Sequence, residues 1–296
     1  MMEMVKNTIN MPMVKTIVLI RKLRKGLDRI EKAIISKTPI GNFIQVSLPT
    51  TGKTAFIHAF PSLSQELVFN DISNYEGHTI RIWSSLCSKA DVILDIGANV
   101  GIFSLVAADA NKKARVFAFE PMPENYSCLV ENISSASLDG RIKTFQAALS
   151  KTNGKMDLIL KGRSGPTLAT NFWKDSSQCK RISVDVFSLD SWARTNGIKL
   201  TEKSLIKIDV ETHEPEVFNG AAEALSAGPA IQCEVLATFV EEKLSRIFKA
   251  SRWRYFWIGP EGLSERKKII GDPSWHFNNY LFLTKDSPYL RLLKIK

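Results

Sequence analysis

A doubly wound α/β domain is the fold class the sequence predicts, and three observations predict it. First, the runs Val92 to Ile96, Val116 to Phe119, Leu205 to Ile208 and Ala230 to Val235 are short, apolar and bounded by Gly, Asp or Glu. Parallel strands covered on both faces read this way. Second, FSLVAADA between the first two runs has the length of one crossover helix. Third, the first run ends in Asp95, Gly97, Asn99 and Gly101, and the second in Glu120, nineteen residues after Gly101. In a nucleotide-binding βαβ unit the glycines let the backbone turn and approach a ligand, and a carboxylate at that distance accepts bonds from ribose hydroxyls.

The turn has the order G-x-N-x-G, with Asp95 two residues ahead of it. A dinucleotide site would have G-x-G-x-x-G and no acid facing a pyrophosphate. An acid there suits a ligand with an ammonium group, such as the methionine half of S-adenosylmethionine.

On these residues the chain resembles the class I methyltransferases, and DIGANVG followed by FEPMPENYSCLVENI is similar to the FkbM family. The resemblance covers about residues 70 to 240. It implies a Rossmann-like sheet of seven strands with the last one antiparallel, bound S-adenosylmethionine, and an adenine edge at the turn Ala147 to Ser150, where Ala148 is the contact. It further implies methyl transfer to a hydroxyl of a sugar, glycan or polyketide-type metabolite. Asp95, Gly97, Asn99, Gly101, Glu120 and Ala148 are the expected cofactor residues.

A second stretch, KIDVETHEPEVF, puts Asp209, Glu211, Thr212, His213 and Glu214 at the carboxyl end of the strand Leu205 to Ile208. Open α/β sheets bind ligands outside the carboxyl ends of their strands. The family pattern has Gly where Thr212 stands; if the position needs positive φ, Thr fits it poorly. Methyl transfer is an in-line displacement, and a hydroxyl acceptor must lose a proton. His213 leads as the base by intrinsic pKa, with Asp209 and Glu211 as alternatives or as orienting groups. His213 and Glu214 also read as caps of the helix that begins near Pro215. Asp209, Glu211 and Glu234 together admit a Mg2+ reading, ranked below a metal-free site.

Around this centre the chain divides into a basic amphipathic helix (1–40), a hairpin and connector (41–75), the cofactor-binding domain (76–286) and a basic tail (287–296). Of the net charge of +10, residues 1–40 supply nine Lys or Arg against three acids. Ile20, Leu23, Leu27, Ile30 and Ile34 recur at helical spacing, so residues 14–37 read as a helix packed on this chain or a second copy, or lying on an anionic membrane. Its uncharged run is far shorter than the roughly 20 residues a bilayer requires. No basic run is interleaved with aromatics, so no nucleic-acid partner is expected. Four isolated cysteines point to a reducing, cytoplasmic setting. The sequons at Asn125 and Asn132 fall in the helix after Glu120 and read as accidental.

Residues 42–60 alternate about a Gly-containing loop and predict a hairpin. Gly52, Lys53 and Thr54 mimic a phosphate loop, but Ser47 stands where its first Gly is required. NDISNYEGHTIRIWSSLC predicts a loop and then a helix with Ile80, Trp83 and Leu86 inward; the resemblance, which includes a Tyr-Glu turn just before the first strand, implies that Tyr75 and Glu76 close over the cofactor, with a helix start as the alternative for Glu76. The helix after Pro123 should bury Tyr126, Leu129, Val130 and Ile133. Arg141 to Ala148 predicts a third strand, Lys155 to Leu160 and Ile182 to Val186 further strands, and KGRSGPTLATNFWKDSSQCK a loop carrying Arg163, Trp173 and Lys174. A helix runs from Leu189 or Asp190 to Gly197 and another through VEEKLSRIFKASRW. Trp253 to Ile258 and Tyr280 to Leu283 complete the sheet, joined by a loop with Trp275, His276 and Asn279; the resemblance to the methyltransferases implies that this loop shapes the acceptor pocket, and its side chains suit a sugar or lactone face and core packing equally well. A nicotinamide oxidoreductase and a non-catalytic interaction protein are the rival functions.

Overall fold

The computed structural model describes residues 43–59, 63–64, 67, 72, 75–160 and 180–295. The expected basic helix, Arg163, Trp173, Lys174 and Cys179 lie outside them.

Five parallel strands form the centre: β3 (Val92–Ile96), β4 (Arg115–Phe119), β5 (Ile142–Phe145), β9 (Leu205–Ile208) and β10 (Ala230–Glu234). On the far side of β10 come β13 (Asn279–Thr284), antiparallel to it, then β11 (Trp253–Gly259) and β12 (Gly262–Arg266). The order β12-β11-β13-β10-β9-β3-β4-β5 reverses direction at β3 and β9, where the chain winds outward both ways. At such a switch point the connections leave to opposite faces and open a crevice.

Each buried strand divides its apolar residues between two cores, because successive side chains point to opposite faces. Ile93 and Ala118 join the core beneath α1 (His78–Cys87), α2 (Ile102–Ala110) and α3 (Pro123–Ser135). Leu94, Ile96, Phe117 and Phe119 join the core beneath α4 (Leu189–Thr195), α5 (Glu214–Asn219), α6 (Ala222–Ser226) and α7 (Glu241–Ile247). In α1 Ile80, Trp83 and Leu86 are buried as the periodicity predicts. The hairpin β1 (Phe43–Ser47) and β2 (Thr54–His58) packs on α3, where the buried Asn132 accepts from the His58 N–H at 2.6 Å and donates to the carbonyls of His58 and Val100.

Four expectations need correction. The sheet has eight strands, since residues 262–266 form β12 where a loop was expected; Arg254 holds Glu265 through two bonds of 2.8 and 2.7 Å, which clamps this polar strand onto β11. The expected third strand breaks: β5 ends at Phe145, and Ala148–Leu149 is β6, which pairs with β8 (Lys180–Phe187) in a separate sheet that also holds β7 (Gly154–Leu160). In α3 Val130 is 43% exposed, because the buried stripe runs through Asn125, Cys128, Leu129, Asn132 and Ile133. The expected tail includes a short helix, α8 (Tyr289–Leu292), whose Tyr289 is buried in the first core and donates to the Lys203 carbonyl at 2.8 Å.

Candidate active site

The carboxyl ends of β3, β4, β9 and β10 meet at a cavity of about 300 Å3. The glycine turn forms its floor. Gly97, Asn99 and Gly101 adopt φ values of 80°, 51° and 94°, in the left-handed region that Gly and Asn tolerate. The amides of Gly97 and Ala98 donate to the Phe119 carbonyl at 3.0 and 2.9 Å, fixing the turn to the end of β4. A Cβ on Gly97 would lie 1.8 Å from the Asp209 carbonyl oxygen, so the ends of β3 and β9 come this close only because residue 97 has no side chain. On Gly101 it would meet Leu129 at 2.5 Å; this glycine serves the packing of α3 and does not line the cavity.

Glu120, only 4% exposed, does line it. One carboxylate oxygen accepts from the Asn99 amide at 2.8 Å and the other from the Met122 amide at 2.9 Å. Burial pushes its pKa up to about 7 against the pull of these two bonds. Each oxygen keeps a lone pair for a ligand hydroxyl.

Asp95 lies behind the floor and does not line the cavity. One of its oxygens accepts from the Ser104 hydroxyl at 2.6 Å, and the other has no hydrogen-bond partner among the described residues. Burial raises its pKa, and the Lys207 ammonium restrains the rise. Lys207, 2% exposed, donates to Asp209 at 2.9 Å and stands 4.3 Å from the Phe103 ring centre. Burial alone would depress its pKa, but Asp209, Asp95 and Glu76 outweigh burial and raise it. Asp95 therefore acts on the cavity through Lys207.

The second motif forms the opposite wall. Glu211 and Thr212 adopt φ of 53° and 74°, so position 212 has the conformation for which Gly is suited. Glu214 sustains the turn from within: one oxygen accepts from the amides of Val210 and Thr212, each at 3.2 Å, and burial pushes its pKa up to about 8. Glu211 lines the cavity, and burial, then Asp209, pushes its pKa up to about 7. His213 occupies the N-cap position of α5 without a side-chain cap bond; its Nε2 shares a hydrogen bond of 2.9 Å with the Ser150 hydroxyl. Burial lowers its pKa to about 4, so the imidazole is neutral at physiological pH. Glu234 closes the end of β10, its pKa raised well above the usual range by burial and then by Asp209, Glu214 and Glu211. Tyr75 and Glu76 line the rim, and Glu76 accepts from Asn279 at 3.2 Å. Helix α1 begins after Gly77, and the Thr79 amide donates to the Glu76 carbonyl at 3.1 Å, so Glu76 also takes part in the helix start.

The cavity thus unites Gly97, Asn99, Glu120, Ala148, Asp209, Glu211 and His213 from the sequence-derived set, with Asp95 and Gly101 behind it. Lys207 was not foreseen, and Ser150 only as the end of the turn expected to hold the adenine edge, with no role for its hydroxyl. Lysine in the otherwise apolar LIKI strand was the available signal for the first. Among the described residues no group of three or more His, Cys, Asp or Glu is arranged to hold a metal ion, the trio Asp209, Glu211 and Glu234 included. Nor is any described helix long and apolar enough to cross a membrane.

Residues 95–256, more than half of the chain, match the family described as the Methyltransferase FkbM domain. The chain belongs to the FkbM methyltransferase family. It is similar to the hexuronic acid methyltransferase AglP of Haloferax volcanii, 25% identical over 60% of this chain and 69% of that one. It is also 31% identical to the 2-O-methyltransferase NoeI of Sinorhizobium fredii, over 48% of this chain and 62% of that one. With the 31-O-demethyl-FK506 methyltransferase FkbM of Streptomyces tacrolimicus it shares 27% identity over 45% of its length and 60% of that relative's. Among solved structures, a methyltransferase FkbM from Methylobacillus flagellatus superposes with a TM-score of 0.44 at 14% identity, covering 75% of this chain and 53% of that one.

As a member of this family the chain is an S-adenosylmethionine-dependent methyltransferase, and its cavity fits that cofactor. Among the described residues, five carboxyl groups, Glu76, Glu120, Asp209, Glu211 and Glu234, and one ammonium, that of Lys207, line the cavity. A ligand with sulfonium and ammonium charges is attracted there. The acids that stay ionised disfavour a pyrophosphate, and the family match supports a methyltransferase over the nicotinamide reading.

Proposed function

We propose that the chain transfers a methyl group to a hydroxyl of a sugar, glycan or polyketide-type metabolite. In this reading Gly97, Asn99, Glu120 and Ala148 hold S-adenosylmethionine, which supplies a methyl group already activated on sulfur. Glu120 accepts bonds from the ribose hydroxyls through its free lone pairs, while Asp209 and the carboxyl groups around it hold the ammonium end. Substrate class follows the relatives, whose names give a hexuronic acid in one case and 31-O-demethyl-FK506 in another.

The observation that carries the proposal is the placement of Glu211. It lines the cavity at the carboxyl end of β9, with a pKa of about 7. A base is most effective when its pKa lies near the working pH, because it is then both available and strong enough to take a proton. Glu211 therefore removes the hydroxyl proton as the oxygen attacks. His213, at about 4, is too weak a base for that step and is assigned to orientation through Ser150.

Calorimetric titration with S-adenosylhomocysteine, repeated with NAD and on Glu120→Ala, tests the cofactor assignment. The expected result is micromolar binding, about −8 kcal/mol, weakened at least tenfold in the variant and with no NAD signal. A folded protein that binds neither nucleoside contradicts the proposal and favours the non-catalytic interaction protein.

A further inference from the structure

We propose that Trp275 and Phe239 form an aromatic platform that receives one face of a pyranose ring, so that the acceptor is a sugar. The cavity on the same side of the sheet is read above as the cofactor site, and this inference rests on that reading. The two side chains are 48% and 42% exposed, and their rings meet edge to face at 5.9 Å. Isolated surface hydrophobics are ordinary, but here two aromatics from different loops are brought together in one place.

The loops lie on the cavity side of the sheet. Phe239 follows the carboxyl end of β10, and Trp275 precedes β13, whose first residue, Asn279, pairs with Glu234. Glu234 lines the cavity, and Asn279 donates to Glu76 on its rim.

The arrangement is tied in place. Glu241 accepts from the Thr238 amide with one oxygen and from the Gly271 amide with the other, both at 2.7 Å, so one carboxylate joins the two loops. A Cβ on Gly271 would come within 2.5 Å of the Ala237 nitrogen, which shows how closely the two backbones approach. Asp272 accepts from Ser274 and from the amides of His276 and Phe277, bending the chain around Trp275. Thr238 and Trp275 themselves hold φ of 67° and 58°. For side-chain-bearing residues that conformation is strained, and it persists because the surrounding bonds hold it.

The chemistry selects a sugar. An aromatic face is electron-rich and attracts the polarised C–H bonds on the apolar face of a pyranose. The ring's hydroxyls need polar partners at its edge. Glu234 offers one: its Oε2 is buried and has no hydrogen-bond partner among the described residues, although the side chain lines the cavity. An oxygen so placed accepts from a sugar hydroxyl.

Saturation-transfer NMR on the whole chain with S-adenosylhomocysteine, using the methyl glycosides of glucose, glucuronic acid and rhamnose and a macrolactone as probes, tests the platform. At least one glycoside should receive saturation mainly on the C–H protons of one ring face. Trp275→Ala should weaken it roughly tenfold, equivalent to about 1.4 kcal/mol, and Trp275→Phe should keep most of the affinity. Unchanged affinity in both Trp275→Ala and Phe239→Ala overturns the proposal, as does wild-type protein that binds S-adenosylhomocysteine and the macrolactone but no glycoside. If the nucleoside fails to bind while a glycoside still depends on Trp275, the platform stands and the methyltransferase reading falls.

Discussion

Thr212 and Gly97 are two left-handed positions with opposite tolerances. At Thr212 the φ of 74° is imposed on a β-branched residue where the resemblance leads one to expect Gly. Left-handed backbone costs an L-residue about 1–2 kcal/mol, and Gly forfeits about 0.5–1 kcal/mol in unfolded-state entropy. Thr212→Gly should therefore stabilise the protein by about 0.5–1 kcal/mol, a rise of about 1–4 °C in Tm for a chain of this size. A scan showing a lower Tm would mean that Thr212 makes a contact outweighing its strain. Gly97→Ala goes the other way, because the added methyl would sit 1.8 Å from the Asp209 carbonyl oxygen. The ends of β3 and β9 must part, and binding of S-adenosylhomocysteine should be lost even where the chain still folds. The base assignment is also decided residue by residue. Glu211→Gln should lower kcat by about 10²–10⁴ with the nucleoside affinity within a few fold of wild type, whereas His213→Ala should cost much less. The reverse ranking would return the base role to His213.

Strand β9 shows how one element carries charge through a core. Leu205, Ile206 and Ile208 are apolar, while Lys207 points into the first core between Asp95 and Asp209, each a neighbour in the network. Lys207→Met leaves both carboxylates without their counter-charge. Removing one partner of a buried pair costs about 3–5 kcal/mol. Urea unfolding at pH 7 should show a loss of that order, smaller at pH 5, where Asp95 with its raised pKa is more readily protonated. An equal loss at both pH values would mean that packing rather than charge sets the cost. The strands that were legible in the sequence were those whose own apolar or alternating pattern demands burial: the hairpin, β3, β4, β7, β8, β9, β10, β11 and β13. β12 was illegible because GLSER has no apolar period, and its pairing depends on Arg254 from a neighbouring strand. The break before β6 was hidden for a related reason, since RIKTFQAA reads as one run until β8 takes Ala148 and Leu149 away. In the site, spacing identified Gly97, Glu120 and the acids after β9. It could not tell that Asp95, on the same face as Ile93, would end beneath the cavity rather than in it.

Across the whole molecule the balance of charge is inverted between surface and site: the chain carries a net +10, yet among the described residues its cavity is lined by five carboxyl groups and one lysine. Burial has raised the pKa of Glu120 and Glu211 to about 7 and of Glu214 to about 8, and has moved Asp95 and Glu234 the same way. The folded chain therefore keeps protons that the unfolded chain releases near the ordinary glutamate value of 4.5. For a group raised in the folded state, the stability it contributes is complete below the unfolded pKa and is lost as pH rises through the folded one. These groups should make the ligand-free protein less stable from pH 5.5 to 8.5. A cationic ligand counters the same charges, so it binds the ionised cavity best. The rise in Tm produced by saturating S-adenosylmethionine should grow across that window, and that produced by S-adenosylhomocysteine, which lacks the sulfonium charge, should grow less. Glu120→Gln, which cannot ionise, should flatten the response to both. Thermal shifts measured at pH 5.5, 7.0 and 8.5 decide it: a response to S-adenosylmethionine that is level with pH would mean that the buried carboxyl groups are already ionised at pH 5.5, or that they do not face the cofactor's charge.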